Sequence, residues 1–315
     1  MTNLTVSSQA PTDWARQCSE REFLFHSPDW AALLEASFNV KTHYILDETE
    51  QGGFAVSSFR AGPFWLGYLG FPYGGMVGNA VLGNALLQDL RVSLSGFPPV
   101  AIRIPVSAFA ESSVDLDFPY VQTPETAIAD LPSWTPDAAS ENHRRDIKKA
   151  ARSGLEITDA RGSEDAAAIF RIYRDTVKRH RGGLRYNKTY FANLVDLAQS
   201  NDRVRVRLAR LDDNTAGFIV VVRHGFVACY LHGGLNLQYR HCRPAALLFS
   251  EAIEWAQGLG CECFNLMSSP PDQQSLVAYK ERWGARTREH RTYTVPLRRS
   301  YRFFQLAERL YGLVR

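Results

Sequence analysis

From Arg240 to Ala285 the chain reads RHCRPAALLFSEAIEWAQGLG, then CECFNLMSSPP, then DQQSLVAYKERWGA. A turn leads into an amphipathic helix, a short buried strand follows, and a second helix carries Lys280 between Tyr279 and Trp283. A helix, a buried strand and a further helix in direct succession demand an α/β arrangement, in which helices cover a sheet. The same order sets a cationic, aromatic cluster just past the carboxyl end of a strand, where α/β proteins place their chemistry.

The rest of the second half fits that architecture. A basic helix, ENHRRDIKKAARSG, is stopped by Gly154, and LEITDAR is a strand. Ser163 is predicted to cap a helix in which Ile169, Ile172, Tyr173 and Val177 recur at helical spacing. NKTYFANLVDLA is a further helix. VRVRLARL alternates as a half-buried strand, DDNT turns the chain into GFIVVVRHG, and FVACYLHGG follows. TREHRTYTVPL is predicted as a last strand and SYRFFQLAERLYGLVR as a helix, giving a mixed sheet covered by helices.

The first half has a shorter version of this rhythm. SPDWAALLEASF opens with a Ser-Pro helix start and sets Trp30, Leu33, Leu34 and Phe38 on one face. Strand-like THYILD, GFAVSSF and FWLGYLG come next, then a loop, GFPYGGM, whose glycines allow close approach of backbone. A helix over 79–95 and a strand at VAIRIPV complete the layer, and LPSWTPDAAS at 131–140 reads as a linker. The expectation is two structurally related domains, 1–136 and 137–315.

Charge supports the division. Residues 1–137 hold 6 Lys and Arg against 15 Asp and Glu, whereas residues 138–315 hold 30 against 18. Either the second half meets an anion, such as a phosphorylated donor or a nucleic acid, or the acidic half docks on the basic one. Five cysteines, an odd and sparse set, argue against a disulfide framework. The N-terminal residues lack the basic start and apolar run of a signal peptide, and the apolar run near Phe218–Val222 is too short to cross a bilayer. A reduced, cytoplasmic protein is expected.

Several side chains are candidates for chemistry. Lys280 is a flexible point charge able to neutralise a phosphate or a developing oxyanion, or else it belongs to a solvated helix surface. Tyr279 can give a proton to a leaving group or simply pack. His232, with its near-neutral intrinsic pKa, is the best placed general base, and the competing role is a hydrogen-bonded core histidine. Glu251 is a weaker candidate, equally suited to a surface carboxylate. Arg179, His180, Arg181 and Arg185 surround a Gly-Gly pair and can hold phosphate or be an exposed charge run. Arg240 and Arg243 precede a helix whose free N–H groups favour an anion. Cys261 and Cys263 form no metal-binding pair and read as inert buried thiols, so no metal is expected. Walker, dinucleotide and Gly-x-Ser-x-Gly motifs are absent from the sequence.

Four segments in this order carry a resemblance: HRRDIKKAARSGLEI, IYRDTVKRHRGGLRYNKTYFANL, the turn and helix from Arg240, and FNLMSS followed by SLVAYKERWGA. Together they resemble the Fem-type transferases, with a tandem GNAT-like fold, and the related acyltransferases associated with biotin- and cellulose-synthesis proteins. The likeness covers most of 137–295; over the first half it rests on GFPYGGM alone. It implies two GNAT-like domains, each a mixed sheet flanked by helices, the first acidic and on the acceptor side, the second basic and on the donor side. It also implies that Lys280, Tyr279 and His232 serve catalysis and that Arg179, Arg185, Arg240 and Arg243 hold the donor. Tyr73, Gly74, Gly75 and Tyr190 would then lie against the acceptor. Two positions depart from the pattern: no glycine follows Arg240 through Ala245, and Asn265 stands where relatives often have Asp.

The implied activity is an N-acyltransferase that moves an acyl or aminoacyl group onto an amine of an envelope, polysaccharide or peptide-like precursor. The donor would be an aminoacyl-tRNA or an acyl-CoA used as co-substrate, with no tightly bound cofactor. The basic surface and missing glycines lean toward tRNA. The basic, aromatic tail over 297–315 suits a peripheral membrane contact, or a helix that caps the fold. The alternative class is a non-catalytic nucleic-acid- or envelope-binding protein that retains the fold.

Overall fold

The computed structural model describes residues 4–20, 23–47, 52–78, 82–93, 97–109, 115–180 and 182–311. Two compact units emerge: Met1–Thr123 with Glu289–Arg315, and Pro124–Arg288. The boundary thus lies at 123/124 instead of 136/137, and the last segment belongs with the first unit.

In the first unit, β1 (Leu4–Ser7) lies antiparallel to β2 (Val40–Asp47), β2 to β3 (Gly52–Ala61), and β3 to β4 (Phe64–Leu69). The short β5 (Val77–Gly78) pairs with β3, and β6 (Ala101–Val106) runs parallel to β4. Helices α1 (Trp14–Glu20), α2 (Pro28–Ser37) and α3 (Asn84–Ser93) accompany them. As expected from Ser-Pro, Ser27 caps α2 by accepting from the Trp30 N–H, with Pro28 in the first turn. Trp30, Leu33 and Leu34 are buried, while Phe38 lies past the helix end in extended backbone. The described part of α3 is narrower than the predicted 79–95, whose ends, 79–81 and 94–95, lie outside the described residues. Ile45, Phe54, Val56 and Leu69 pack with Leu86, Leu87 and Leu90 of α3 to form the main core of this unit.

The chain enters the second unit within β7 (Tyr120–Ile128). Residues 131–140 are not a loose linker. Leu131, Trp134 and Ala139 join the core of the second unit, and the Trp134 indole N–H donates to the Trp283 carbonyl at 2.8 Å. An aromatic ring and a leucine outweigh the turn-forming prolines between them.

Next come α4 (Glu141–Ala151), β8 (Glu156–Asp159), α5 (Gly162–Arg179), α6 (Lys188–Ser200), β9 (Val204–Leu211), β10 (Asn214–His224) and β11 (Val227–Leu235). Then follow α7 (Pro244–Gly258), β12 (Cys263–Ser268) and α8 (Gln274–Glu281). Ser163 does not cap α5; the helix starts at Gly162, and the Asp165 carboxylate receives the Arg161 N–H at 2.8 Å. The sheet order is β7-β12-β11-β10-β9-β8, antiparallel except for the parallel pair β11 and β12. Cys261 precedes β12, so it does not share a strand face with Cys263, and all five cysteines are buried thiols.

The chain returns to the first unit within β13 (Arg286–Pro296), whose residues 291–296 pair antiparallel with β6. Helix α9 (Tyr301–Tyr311) follows, and its Phe304 is buried among Leu66, Val100 and Ala101. Those contacts are why the last segment belongs with the first unit.

Candidate functional site

The parallel ladder of β11 and β12 runs from Val227↔Cys263 to Cys229↔Asn265 and stops, although β11 continues to Leu235. Past that point the two strands part, leaving backbone polar groups at the carboxyl ends of a parallel pair. This is the place where α/β sheets receive ligands. A bulge marks the same point: β10 pairs Val221 with Tyr230 and Val220 with His232, so Leu231 is the extra residue.

The bulge sends Tyr230 and His232 to opposite faces. Tyr230 packs on Phe249 of α7, with ring centroids 4.7 Å apart. Its hydroxyl presses on Gly233, where a Cβ would sit 2.4 Å from the oxygen, so any larger residue there would have to displace the Tyr230 ring. His232 lies on the other face among Tyr173, Tyr186, Tyr190 and Phe191. Its Nε2 is 3.0 Å from the Tyr190 hydroxyl. Burial among these rings lowers the His232 pKa to about 3 and raises that of Tyr190 well above its ordinary value. The imidazole is therefore neutral at physiological pH and a weak proton acceptor. Tyr190 is buried and serves His232.

The end of β12 is held by a buried polar network that begins in β7. Asn265 Nδ2 donates to Glu125 Oε1 at 2.6 Å, and Asn265 Oδ1 accepts from the Met267 N–H at 2.7 Å. Met267 adopts a left-handed conformation, φ 66°, with its N–H held by Asn265. Lys280 closes it: Nζ donates to the Met267 carbonyl (2.8 Å), the Ser268 carbonyl (3.2 Å) and Ser269 Oγ (2.8 Å). An ammonium has three donors, so all are engaged. Glu125, Asn265, Ser269 and Lys280 are each at most 4% exposed. Burial pushes the Lys280 pKa down to about 8, while Glu125 acts in the opposite sense. Tyr279, beside it, packs near His143 and Phe249, and burial raises its pKa, so it carries its proton at neutral pH.

Helix α7 begins just after β11, following a 3-10 turn over Leu237–Cys242. Arg243, at its N-cap, takes the left-handed conformation (φ 60°, ψ 43°) for which the sequence offers no glycine. Its Nε pairs with Asp146 of α4 at 3.1 Å, and Ser153 Oγ donates to the Cys242 carbonyl at 3.4 Å. Arg240 is exposed in the turn. Arg179 bonds to Thr176 at the end of α5, Arg185 is exposed, and Arg181 lies outside the described residues. Glu251 is engaged elsewhere: its Oε1 meets Arg205 (3.0 Å) and Arg207 (3.2 Å), pinning α7 to β9. Among the described residues no group of His, Cys, Asp and Glu could hold a metal ion.

In the first unit, Tyr73 is buried edge-on to His290, and the Gly74 N–H donates to the Pro105 carbonyl at 3.2 Å. Gly70 starts that loop at φ 55°, with His26 close enough to exclude any side chain. Gly75 also has a positive φ, 135°.

The structure thus unites His232 with Tyr190 and sets Tyr279 beside the Lys280 network, while the bulge turns His232 away from the face that carries Tyr230. Glu125, Ser269 and Tyr230 escape the sequence reading. Asn265 is visible there only as a departure from a pattern.

Residues 138–281 match the model of the acetyltransferase (GNAT) domain family. Solved structures share the fold over nearly the whole chain. FemX aligns with a TM-score of 0.68 at 14% identity, covering 96% of this chain and 100% of that one. L-PGS from Bacillus licheniformis gives 0.60 at 10%, covering 97% and 98%. A tandem GNAT protein from the clavulanic acid biosynthesis pathway gives 0.54 at 12%, covering 94% and 99%. At these identities the likeness is one of fold. No curated protein matches the sequence. Together these matches show the architecture, two tandem GNAT-like domains, with the GNAT domain match lying in the second half of the chain.

Proposed function

We propose that the protein is an N-acyltransferase that takes an acyl or aminoacyl group from a phosphate-bearing donor, an aminoacyl-tRNA or an acyl-CoA. The acceptor is an amine of an envelope, polysaccharide or peptide-like precursor. The observation that carries this reading is the parting of β11 and β12 at Cys229↔Asn265, with the N-terminus of α7 following β11. The helix start favours the donor's phosphates, with Arg240 adding charge. The unpaired edge of β11 offers peptide groups to the reacting carbonyl.

In the reaction, the acceptor nitrogen attacks the carbonyl carbon of the ester or thioester. A C–N bond forms, the C–O or C–S bond breaks, and the electron pair leaves with the oxygen or sulfur. The proton lost by nitrogen passes to the leaving group, with the protonated Tyr279 phenol of α8 as the proposed relay: it gives its proton to the departing oxygen or sulfur and takes up the one released by nitrogen. Lys280 acts as a positioning residue: its ammonium holds the Met267 and Ser268 carbonyls and thereby the course of the chain at the end of β12. His232, neutral and half-buried among aromatic rings, supports β11 through Tyr190. The fold shared with FemX and with L-PGS supports acyl or aminoacyl transfer as the general reaction.

The test is a donor screen with mass-detected transfer, using acetyl-CoA, longer acyl-CoAs and charged tRNA against amine acceptors. Transfer from one donor class is expected. With tRNA, binding should weaken steeply with salt, about tenfold or more between 50 and 200 mM. Absence of transfer from every donor, with the fold intact, would refute the enzymatic reading.

A further inference from the structure

Helix α9 has two dissimilar sides. Its inner side is fixed to the first unit. Phe304 is fully buried, stacked on Tyr301 with centroids 6.0 Å apart and edge-on to Phe64 at 5.7 Å. Glu308 pairs with Arg103 at 2.5 Å, and just before the helix the Arg298 guanidinium donates to the Phe97 carbonyl.

The outer side has no such partners. Phe303 is 69% exposed and Leu306 56%, three residues apart and so adjacent on the helix surface. Arg299 and Arg302 are exposed beside them, and neither has an acidic partner among the described residues. Glu308, the one acid between Tyr301 and Tyr311, is drawn inward by Arg103. The outer face therefore pairs large apolar side chains with unopposed cations.

That combination selects among occupants. A second copy meeting this face through a two-fold axis would bring arginine against arginine with no carboxylate to relieve it. A lipid surface accepts both features at once: the apolar side chains enter the acyl boundary, and the guanidinium groups remain at phosphate level. We propose that α9 docks the protein reversibly on an anionic membrane surface through Phe303 and Leu306, with Arg299 and Arg302 at the headgroups. The inference stands independently of the donor or acceptor of the transfer reaction.

The test is co-sedimentation of the full chain with vesicles of phosphatidylcholine alone and of phosphatidylcholine mixed with phosphatidylglycerol. Binding is expected only to the anionic vesicles and should fall as salt rises. The double variant Phe303→Ser/Leu306→Ser and the double variant Arg299→Glu/Arg302→Glu should each weaken binding at least tenfold. All four side chains are exposed, so melting temperatures should be unchanged. Failure to bind anionic vesicles, or equal binding by the variants, would overturn the proposal. So would a concentration-dependent dimer that disappears in Phe303→Ser/Leu306→Ser, because the face would then belong to a second copy.

Discussion

Asn265 shows how one residue is dictated by its neighbours. A backbone N–H can pair only with the amide oxygen, so the Met267 bond fixes the orientation of the side chain and turns its NH2 toward Glu125. An aspartate could accept from Met267 but would place a second carboxylate against Glu125, and two carboxylates this close cannot both ionise. Asn265→Asp should lower stability at pH 8 by about 2–4 kcal/mol, with part of the loss recovered at pH 5 as the pair takes up a proton. Melting curves at the two pH values check this; an unchanged melting temperature at pH 8 would contradict it. The sequence exposes the asparagine but not its reason, because Glu125 is 140 residues away in a segment without a strong strand pattern. Lys280 is legible as a special lysine for a similar reason. That its three donors are used internally follows from Met267 in a left-handed turn, which no local pattern announces.

Strands and helices with strong periodicity are legible: β2, β3, β4, β6, β9, β10 and β11 all fall where alternation or apolar runs place them. What periodicity cannot see is the bulge in β11. Period-two reasoning puts Tyr230 and His232 on one face, and one extra residue separates them. His232 thereby enters the aromatic enclosure that makes it neutral. Its pKa falls from 6.5 to about 3, so the unfolded chain holds the proton more tightly across that interval. The stability tied to the neutral ring is present above pH 6.5 and is lost as pH falls toward 3. His26, buried in the first unit with a pKa lowered to about 4, adds a loss of the same sign. His232→Gln should lose about 2 kcal/mol less stability than the natural chain between pH 7 and pH 4.5, measured by urea unfolding. Equal acid sensitivity would show that the enclosure does not shift the imidazole.

For the whole molecule, the chain path changes the meaning of its charge. Divided at 137, the sequence looks sharply polarised. With Glu289–Arg315 returned to the first unit, that unit holds 12 basic and 14 acidic residues, and the second holds 24 and 19. The six arginines of the last segment account for much of the difference. The tandem architecture is legible from the order of elements, whereas the crossing strands β7 and β13 are not, because each belongs partly to both units. In the proposed reading, a moderate net charge on the second unit leaves donor binding to local geometry, above all to the start of α7. Ala245, partly exposed in the first turn of α7, is the place to test this. Ala245→Asp adds a carboxylate that the helix dipole favours, so folding stability should hold or rise slightly. The same charge would repel a phosphate bound there. With whichever donor supports transfer, the account predicts a donor KM raised about tenfold or more, with kcat nearly unchanged and the melting temperature not lowered. An unaltered donor KM in the folded variant would contradict the placement of the donor at the parting of β11 and β12.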